Sequence, residues 1–295
     1  MTTHQQLQTG IARPPWLPET EWPFQLRTIT VDGVRLHLID EGTGPVLLLV
    51  HAGMWSFVWR DLIADMARDF RCVAVDFPGS GLTQAPVGYP IGLASNARLL
   101  AGVVDELGLT EVTLVAHDLG GLIGLGWAAH HPDPVRGLVL LNTFGWPPQP
   151  ALGAMLRLMG SPTMRALNTA TNLVPRLTAR RFGVGRHLNR RARAAFLGPT
   201  RERARRRTFH QLMADASRST RLLEQVAAAQ RTSLADRPVL TVFGQYNDPF
   251  HFQRRWRELY PHACQVVVPH GNHFPMNDDP QGVAAAIRSW WQDNS

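Results

Sequence analysis

The stretch that most constrains the fold runs from Glu111 to Gly121, where a β-rich segment stops at Asp118 and two glycines follow. A sharp strand-to-helix turn between small residues is typical of a nucleophile elbow, whose usual form is Gly-x-Ser-x-Gly. Here the frame runs from Ala116 to Gly120, with Asp118 in the serine position. A carboxylate held there is suited to displacing a leaving group from saturated carbon, which gives an alkyl-enzyme ester. The pattern therefore favours dehalogenation or epoxide opening over acyl transfer.

Strand and helix patterns alternate on both sides of this elbow. The continuous apolar run Val46–Val50 is typical of a strand buried on both faces of a parallel sheet. Apolar residues at helical spacing lie between such runs. The alternation over 46–142 predicts an α/β fold, with a mostly parallel sheet flanked by helices. An antiparallel hairpin is predicted before it, with strands at 26–31 and 34–39 joined by the turn Asp32-Gly33.

The alternation stops between residues 146 and 235, where helix-like pieces are broken by prolines and glycines. We predict that 146–235 form a helical cap inserted into a core domain made of 22–145 and 236–295. Residues 1–21 are polar and rich in proline, and we expect them to form a loose N-terminal arm. A chain of 295 residues fits one domain with an insertion better than two independent domains.

Composition argues against several classes of partner. The net charge of +7 comes from arginine alone, since the sequence has no lysine, and twelve arginines lie between Arg176 and Arg207. We interpret this run as a solvated helix face, because aromatic residues for base stacking are not interleaved with it. No apolar run reaches the roughly 18 residues of a membrane span, and the N-terminus lacks a signal-peptide pattern. We therefore expect a cytoplasmic protein without a nucleic-acid or membrane partner.

The two cysteines bear on redox setting and on metal binding. Cys72 and Cys264 both lie in apolar β-like runs. Buried structural thiols are expected there rather than a disulfide or a metal site. The expected protein is an enzyme without cofactor or metal in a reducing compartment.

A nucleophilic carboxylate needs a base, and the base needs an orienting partner. Asp248 lies in the loop after the next-to-last predicted strand, and His273 lies in the loop after the last one. Loops at the carboxyl ends of parallel strands meet at one edge of a sheet, where ligands bind. We therefore predict a catalytic triad of Asp118, His273 and Asp248, with His270 as a rival for the base.

An oxyanion hole on such a sheet is built from backbone N–H groups, one after the nucleophile and one in the loop after an early strand. The matching positions are Leu119 and either Ala52 or Gly53. These donors are needed when water attacks the ester and the carbonyl oxygen becomes negative. His51 and His117 flank the site and are expected to be structural.

Nearly the whole chain from Trp22 resembles the α/β-hydrolase superfamily, and more narrowly the haloalkane dehalogenases and their epoxide hydrolase relatives. The segments that carry the resemblance are Trp22-Pro-Phe24, Ile39-Asp-Glu-Gly42, Trp55–Arg60, His117-Asp118, Asn142–Pro147, Asp236–Leu240 and His273-Phe-Pro275. The resemblance implies an α/β-hydrolase fold with a helical cap and a small apolar substrate. It also implies that the aspartate attacks the carbon bearing halogen, that the histidine activates water, and that halide is released.

Two positions depart from the dehalogenase pattern. Dehalogenases usually carry tryptophan directly after the nucleophile, where its indole N–H holds the departing halide, and this chain has Leu119. An asparagine that often gives a second halide contact, in the loop after the first buried strand, is also absent. Trp55 and Trp146 are the candidate replacements.

Epoxide hydrolases of this type use cap tyrosines to protonate the opening alkoxide, and none of the three tyrosines lies in the predicted cap. Tyr246, two residues before Asp248, is the one placed near the site. The leading hypothesis is a haloalkane dehalogenase-like hydrolase. An epoxide hydrolase with atypical acid groups, and a ligand-binding protein with an idle triad, are the alternatives. Substrate and oligomeric state stay open.

Overall fold

The computed structural model describes residues 8–9, 11–180 and 183–295, with the backbone alone for the first two. Its strands are β1 (Gln8–Thr9), β2 (Arg27–Val31), β3 (Val34–Glu41), β4 (Val46–Val50), β5 (Arg71–Asp76), β6 (Val112–His117), β7 (Val135–Leu141), β8 (Val239–Gly244) and β9 (Cys264–Val268). These nine strands of the described chain form one sheet in the order β1-β2-β3-β5-β4-β6-β7-β8-β9. The pairs from β5·β4 to β8·β9 are parallel, and the first three are antiparallel. The predicted mostly parallel sheet is confirmed.

Twelve α-helices occur in the same residues. Their bounds are α1 (Arg60–Met66), α2 (Leu93–Glu106), α3 (Leu119–His130), α4 (Pro150–Met159), α5 (Pro162–Thr171), α6 (Leu173–Thr178), α7 (Arg190–Phe196), α8 (Arg203–Ala216), α9 (Thr220–Ala229), α10 (Phe252–Leu259), α11 (Pro275–Asp278) and α12 (Pro280–Asp293). Strand β4 shows how they cover the sheet. Leu48 and Val50 pack with α2 and α3 on one face, whereas Leu47 and Leu49 pack with α1 and α12 on the other. Alternate residues of a strand point to opposite faces, which explains the continuous apolar run.

The hairpin between β2 and β3 has the predicted two-residue turn. Val31 pairs with Val34, and the turn residues Asp32 and Gly33 have φ angles of 49° and 75°. Two positive φ angles are typical of a type I′ turn, whose twist matches that of the flanking strands.

The segment predicted as a cap, 146–235, contains α4 to α9 and no strand among its described residues. Helix α8 packs against α4 and α5, so it lies beneath these two outer helices. Helix α9 packs against α3 of the sheet layer instead. The last part of the predicted cap therefore joins the core packing, and its boundary at residue 235 stays a prediction.

The expectation of a loose arm was wrong for the residues that the structure describes. Strand β1 pairs with β2, and Leu17 is fully buried. The guanidinium of Arg13 donates to the carbonyl oxygens of Trp22 and Phe24. These contacts bind the arm to the start of the core domain. Residues 1–7 and Gly10 lie outside the described part.

The expectation of two buried thiols was right for Cys72 and wrong for Cys264. Burial in β5 raises the pKa of the Cys72 thiol to about 12. Cys264 is exposed because β9 is the last strand of the sheet and is only partly covered. Both thiols are free.

Of the arginines in the predicted solvated face, Arg205 and Arg206 make the most hydrogen bonds to backbone carbonyls, and Arg186 and Arg193 make one each. Arg205 donates to the carbonyl oxygens of Gly81 and Thr83, and burial lowers its pKa. Arg206 donates to four carbonyl oxygens within the cap. The expectation was therefore wrong for Arg205 and Arg206. Within the described ranges, no helix is long and apolar enough to cross a membrane.

Candidate active site

Asp118 occupies a strained turn between β6 and α3. Its backbone angles are φ 51° and ψ −132°, which non-glycine residues rarely adopt. Glycine is needed just after it, because a Cβ at Gly120 would collide with the carbonyl of Val50. A Cβ at Gly121 would meet the side chain of Thr143, whose hydroxyl donates to the Asp118 carbonyl at 2.7 Å. The local sequence thus forces the elbow geometry that presents the carboxylate.

His273 faces this carboxylate. Its Nε2 atom lies 3.7 Å from Oδ1 of Asp118, which is an ion-pair distance and is too long for a hydrogen bond. The side chains are 33% and 31% exposed, so a ligand can reach both. Burial by itself would raise the pKa of Asp118, but the facing His273 outweighs it and holds this pKa well below its usual range. Asp118 is therefore ionised at neutral pH.

The predicted contact between Asp248 and His273 is not formed. Oδ1 of Asp248 accepts from the N–H of Phe252 at 2.6 Å, and Oδ2 accepts from the N–H of Gln253 at 3.1 Å. These are free donors at the start of α10, where a carboxylate is also favoured by the helix dipole. The helix N-terminus therefore holds both oxygens of Asp248 away from the histidine.

Asn247 takes the place that had been expected for the acid. Its side-chain amide nitrogen lies 3.3 Å from Nδ1 of His273, and turning the amide over would direct its oxygen there. In the described chain, Asp118 is the sole carboxylate within 4.0 Å of a His273 ring nitrogen. Sequence reasoning missed Asn247. The sequence did contain one indication: Asp248 stands four residues before Phe252, the first residue of the predicted helix, and at that position it can cap the helix.

His51 and His117 form a buried chain beside the site. Burial lowers the pKa of His51 to about 4 and that of His117 well below its usual value, so both rings are neutral. Nε2 of His117 donates to the carbonyl of His273 at 2.6 Å. Nδ1 of His117 must then accept from Nδ1 of His51, 3.0 Å away. This chain connects the loop after β4 to the backbone of His273, which is the structural role that was expected.

Asn142, directly after β7, also positions the histidine loop. Its amide nitrogen donates to the carbonyls of Asn272 and His273 at 2.9 and 2.8 Å. Its amide oxygen accepts from the N–H of Gly244 at 3.1 Å. Sequence reasoning noted Asn142 for its resemblance to the family and not for this role. This role could have been predicted from the position of Asn142, a polar residue directly after a buried strand.

The positions predicted for the oxyanion hole flank the elbow. Leu119 is the first residue of α3, so its N–H has no partner one turn earlier in the helix. The close approach of Gly120 to Val50 brings the start of α3 against the end of β4, and Ala52 and Gly53 follow in the next loop. Side chains of α8 cover Gly53, with Phe209 in closest contact. Both predicted donor segments thus lie at the base of the cap, and their role stays a prediction.

The two candidate indoles differ in what they contact. Nε1 of Trp55 donates to the carbonyl of Phe196 at 3.0 Å, so this N–H is already used. Trp146 is fully buried, and its Nε1 has no hydrogen-bond partner within the described residues. Its ring packs 4.8 Å from that of Trp256, and the guanidinium of Arg255 lies 4.5 Å from its centroid.

Tyr246 and His270 lie together at the surface. The side chain of Tyr246 is exposed, and its hydroxyl lies 3.0 Å from Nδ1 of His270. His270 is thus engaged away from Asp118, which leaves His273 as the histidine that faces this carboxylate.

The arrangement can perform two chemical tasks. The ionised carboxylate of Asp118 can attack carbon, and Nε2 of His273 can take a proton from a water between them. Across the described residues, no group of three or more histidine, cysteine and acidic side chains is placed to hold a metal ion.

Comparison with known proteins gives a consistent set of similarities. Residues 45–280 match the family model described as the alpha/beta hydrolase fold. Haloalkane dehalogenase 2 of Mycobacterium tuberculosis is 32% identical over 272 residues, which cover 90% of this chain and 94% of the relative. The cis-3-alkyl-4-alkyloxetan-2-one decarboxylase of Xanthomonas campestris pv. campestris is 30% identical over 288 residues, with 89% and 94% covered. In fold, haloalkane dehalogenase DbeA from Bradyrhizobium elkani matches with a TM-score of 0.75 at 22% identity, covering 91% of this chain and 97% of that one.

Proposed function

This chain belongs to the α/β-hydrolase fold family and to its haloalkane dehalogenase-like group, and we propose that it acts through an alkyl ester on Asp118. One observation carries the proposal. An ionised carboxylate stands on a strained elbow and faces a histidine 3.7 Å away, with both side chains accessible to a ligand. The substrate class is a small apolar molecule with an electrophilic saturated carbon.

In the first step, an oxygen of Asp118 attacks the carbon that bears the leaving group. The carbon–oxygen bond of the ester forms while the bond to the leaving group breaks, and the leaving group departs with the bonding electrons. The depressed pKa of Asp118 keeps the attacking oxygen unprotonated. This step needs no base.

In the second step, water attacks the carbonyl carbon of the ester, and Nε2 of His273 takes the proton. The carbonyl oxygen becomes negative, and the backbone N–H groups of Leu119 and of Ala52 or Gly53 are the proposed donors to it. Collapse of this intermediate breaks the bond between the ester oxygen and the former carbonyl carbon, and the departing oxygen takes the proton back from Nε2 of His273 to give the alcohol. Asp118 releases the second proton of the water and is regenerated as a carboxylate with one oxygen from water.

We assign the orientation of His273 to Asn247 rather than to Asp248. A neutral amide can fix the ring through Nδ1, as the asparagine of Cys-His-Asn sites does, but it adds no charge to stabilise an imidazolium. Asp248 instead stabilises α10 through its two N–H contacts. Asn247 therefore orients the ring of His273, and Asp248 holds the start of α10.

Asn247→Ala should slow hydrolysis of the ester by about 10²-fold, because a freely turning ring is seldom aligned with water. Ester formation, which needs no base, should keep its rate. Pre-steady-state kinetics measure the two steps separately. The matched control is Asp248→Asn, which should lower the free energy of unfolding by about 1 kcal/mol and leave the hydrolytic step unchanged. If Asp248→Asn slowed ester hydrolysis and Asn247→Ala did not, the orienting role would belong to Asp248.

The donors for the leaving group differ from those of the dehalogenase pattern. Leu119 has no side-chain donor, and the indole N–H of Trp55 is occupied by Phe196. Of the two candidate indoles, Trp146 alone keeps an unpartnered N–H in the described chain. Its ring packs against Phe252 and Trp256 of α10, so we assign the halide contact to neither indole.

The lack of a donor at Leu119 favours a second candidate, the opening of a strained four-membered lactone. The relatives named cis-3-alkyl-4-alkyloxetan-2-one decarboxylase make this chemistry relevant. Attack by Asp118 on the ring carbon bonded to oxygen would leave a carboxylate tethered to the substrate. Such a leaving group needs no halide site. Loss of this carboxylate as carbon dioxide would form a carbon–carbon double bond and expel Asp118 as the free carboxylate.

An epoxide is less favoured, because the hydroxyl of Tyr246 is engaged by His270 at the surface.

A panel of three substrate classes tests these assignments. Bromoalkanes are assayed for bromide, cis-3,4-dialkyl oxetan-2-ones for carbon dioxide, and terminal epoxides for diol. We expect turnover of bromoalkanes, and carbon dioxide release would identify the lactone reaction instead. A folded protein that is silent on all three classes would support a binding protein with an idle site.

A further inference from the structure

The segment 146–235 differs strongly in charge from the rest of the chain. It carries 17 of the 30 arginines but three of the 23 acidic residues, for a net charge of +14. The remaining residues carry 13 arginines and 20 acidic residues, for a net charge of −7. A separation of this size gives the molecule a basic end that is attracted to anionic surfaces.

The outer helices of this basic end expose large apolar side chains. Met155 and Leu158 on α4 are 45% and 65% exposed, Leu167 on α5 is 42% exposed, and Leu177 on α6 is 39% exposed. Four of the seven large hydrophobic residues exposed in the described chain therefore lie on three consecutive helices. Helix α5 packs against α6, and both α4 and α5 pack against α8. We call the outer surface of α4, α5 and α6 the cap face.

Arginines are interspersed with these apolar residues. Arg157, Arg165, Arg176 and Arg180 are all exposed, and no ion pair involves them among the residues described. Residues 150–178 contain no aspartate or glutamate at all. The cap face therefore combines protruding hydrocarbon with cations that no neighbouring acid neutralises.

Against the expectation from the sequence that the protein has no membrane partner, we propose that the cap face docks on the surface of an anionic phospholipid membrane. Apolar side chains would enter the boundary between headgroups and acyl chains, while guanidinium groups pair with headgroup phosphates. Single-stranded nucleic acid fits less well, because the aromatic residues described in the cap, Trp146, Phe196 and Phe209, are buried and cannot stack on bases. Two copies of the same cationic face would repel each other.

Docking in this orientation has a consequence for access to the site. Helix α8 lies beneath the cap face, and its Phe209 and Met213 reach Gly53 beside the nucleophile. The cap, which covers the site, would then face the membrane, and an apolar substrate dissolved in the membrane would reach the cap first. The surface interaction does not depend on the proposed reaction.

Co-sedimentation of the full chain with vesicles tests the proposal. Vesicles of phosphatidylcholine alone are compared with vesicles that contain about one-third phosphatidylglycerol. We expect at least about tenfold stronger partitioning into the anionic vesicles, and weaker binding as salt is raised. Arg157→Gln and Arg165→Gln should each weaken it about fivefold. Met155→Ser combined with Leu158→Ser should weaken it about tenfold or more.

Matched controls lie on the core domain. Val87→Ser removes a fully exposed apolar residue, and Arg254→Gln removes an arginine whose side chain is 82% exposed. Neither should change partitioning. Equal binding to both vesicle types would overturn the proposal. It would also be overturned if the arginine changes reduced binding while the Met155 and Leu158 pair did not, since that pattern indicates general polyanion binding. A change of oligomeric mass in the apolar pair would show a second copy on this face instead.

Discussion

Replacing His273 with glutamine should arrest the reaction after its first chemical step. Nε2 of His273 is the basic group that the structure places against Asp118, and ester formation does not use it. Loss of a positioned general base typically costs 10²- to 10⁴-fold, so we expect turnover to fall by about 10³-fold or more. The alkyl ester should accumulate on Asp118. Intact-protein mass spectrometry would show an increase equal to the alkyl group of the substrate.

The control for this result is His270→Gln. His270 lies three residues away, and its ring contacts Tyr246 at the surface. We expect wild-type turnover and no adduct from this variant. An adduct in His270→Gln, or an unmodified mass in His273→Gln with a substrate of the wild-type enzyme, would contradict the assignment of the base.

Asp118→Asn should remove both steps, because an amide oxygen is a poor nucleophile and forms no ester. Loss of a nucleophile lowers kcat by up to roughly 10⁶-fold, so we expect kcat of this variant to fall by at least about 10⁴-fold. Asparagine has the same shape as aspartate, so the strained turn at φ 51° should keep its conformation. Steady-state kinetics measure the loss, and thermal unfolding verifies the fold.

The outcome of Asp118→Asn separates a covalent mechanism from direct attack by water. If Asp118 acted only by polarising water, an amide would retain part of that effect and the loss would be small. Residual activity within about tenfold of wild type would therefore contradict the nucleophilic role.

The elbow was predictable from sequence because its determinants are local. A buried strand must end, a tight turn must follow, and Gly120 and Gly121 must admit the neighbouring backbone and Thr143. The hairpin turn at Asp32-Gly33 and the apolar strand β4 are encoded in the same local way. These patterns predict that Asp118 and His273 lie at one edge of the sheet, where the two side chains face each other.

The partner of the histidine was not predictable, because Asn247 and Asp248 are adjacent and both polar. Which one faces Nδ1 of His273 depends on the path of the loop after β8. The free N–H groups of α10 bind Asp248 and leave Asn247 at the ring. Spacing along the chain does not show which of two adjacent side chains a helix end will bind and which will face the histidine ring.

The exposure of Cys264 and the contacts of Arg205 have a similar explanation. A β-like run indicates a strand, but it does not tell whether that strand lies at the edge of the sheet, where Cys264 is exposed. A run of arginines indicates charge, but it does not tell which guanidinium meets backbone carbonyls of the core, as Arg205 does. Both depend on contacts between segments far apart in sequence.

The origin of the product oxygen is the most direct test of the covalent mechanism. In a single turnover in ¹⁸O-water with enzyme in excess, the ester mechanism transfers an existing oxygen of Asp118 to the product. The alcohol from this first turnover should therefore carry ¹⁶O, and one atom of ¹⁸O should appear in the carboxylate of Asp118 by peptide mass spectrometry. Complete ¹⁸O labelling of the first product, with an unlabelled Asp118, would contradict it.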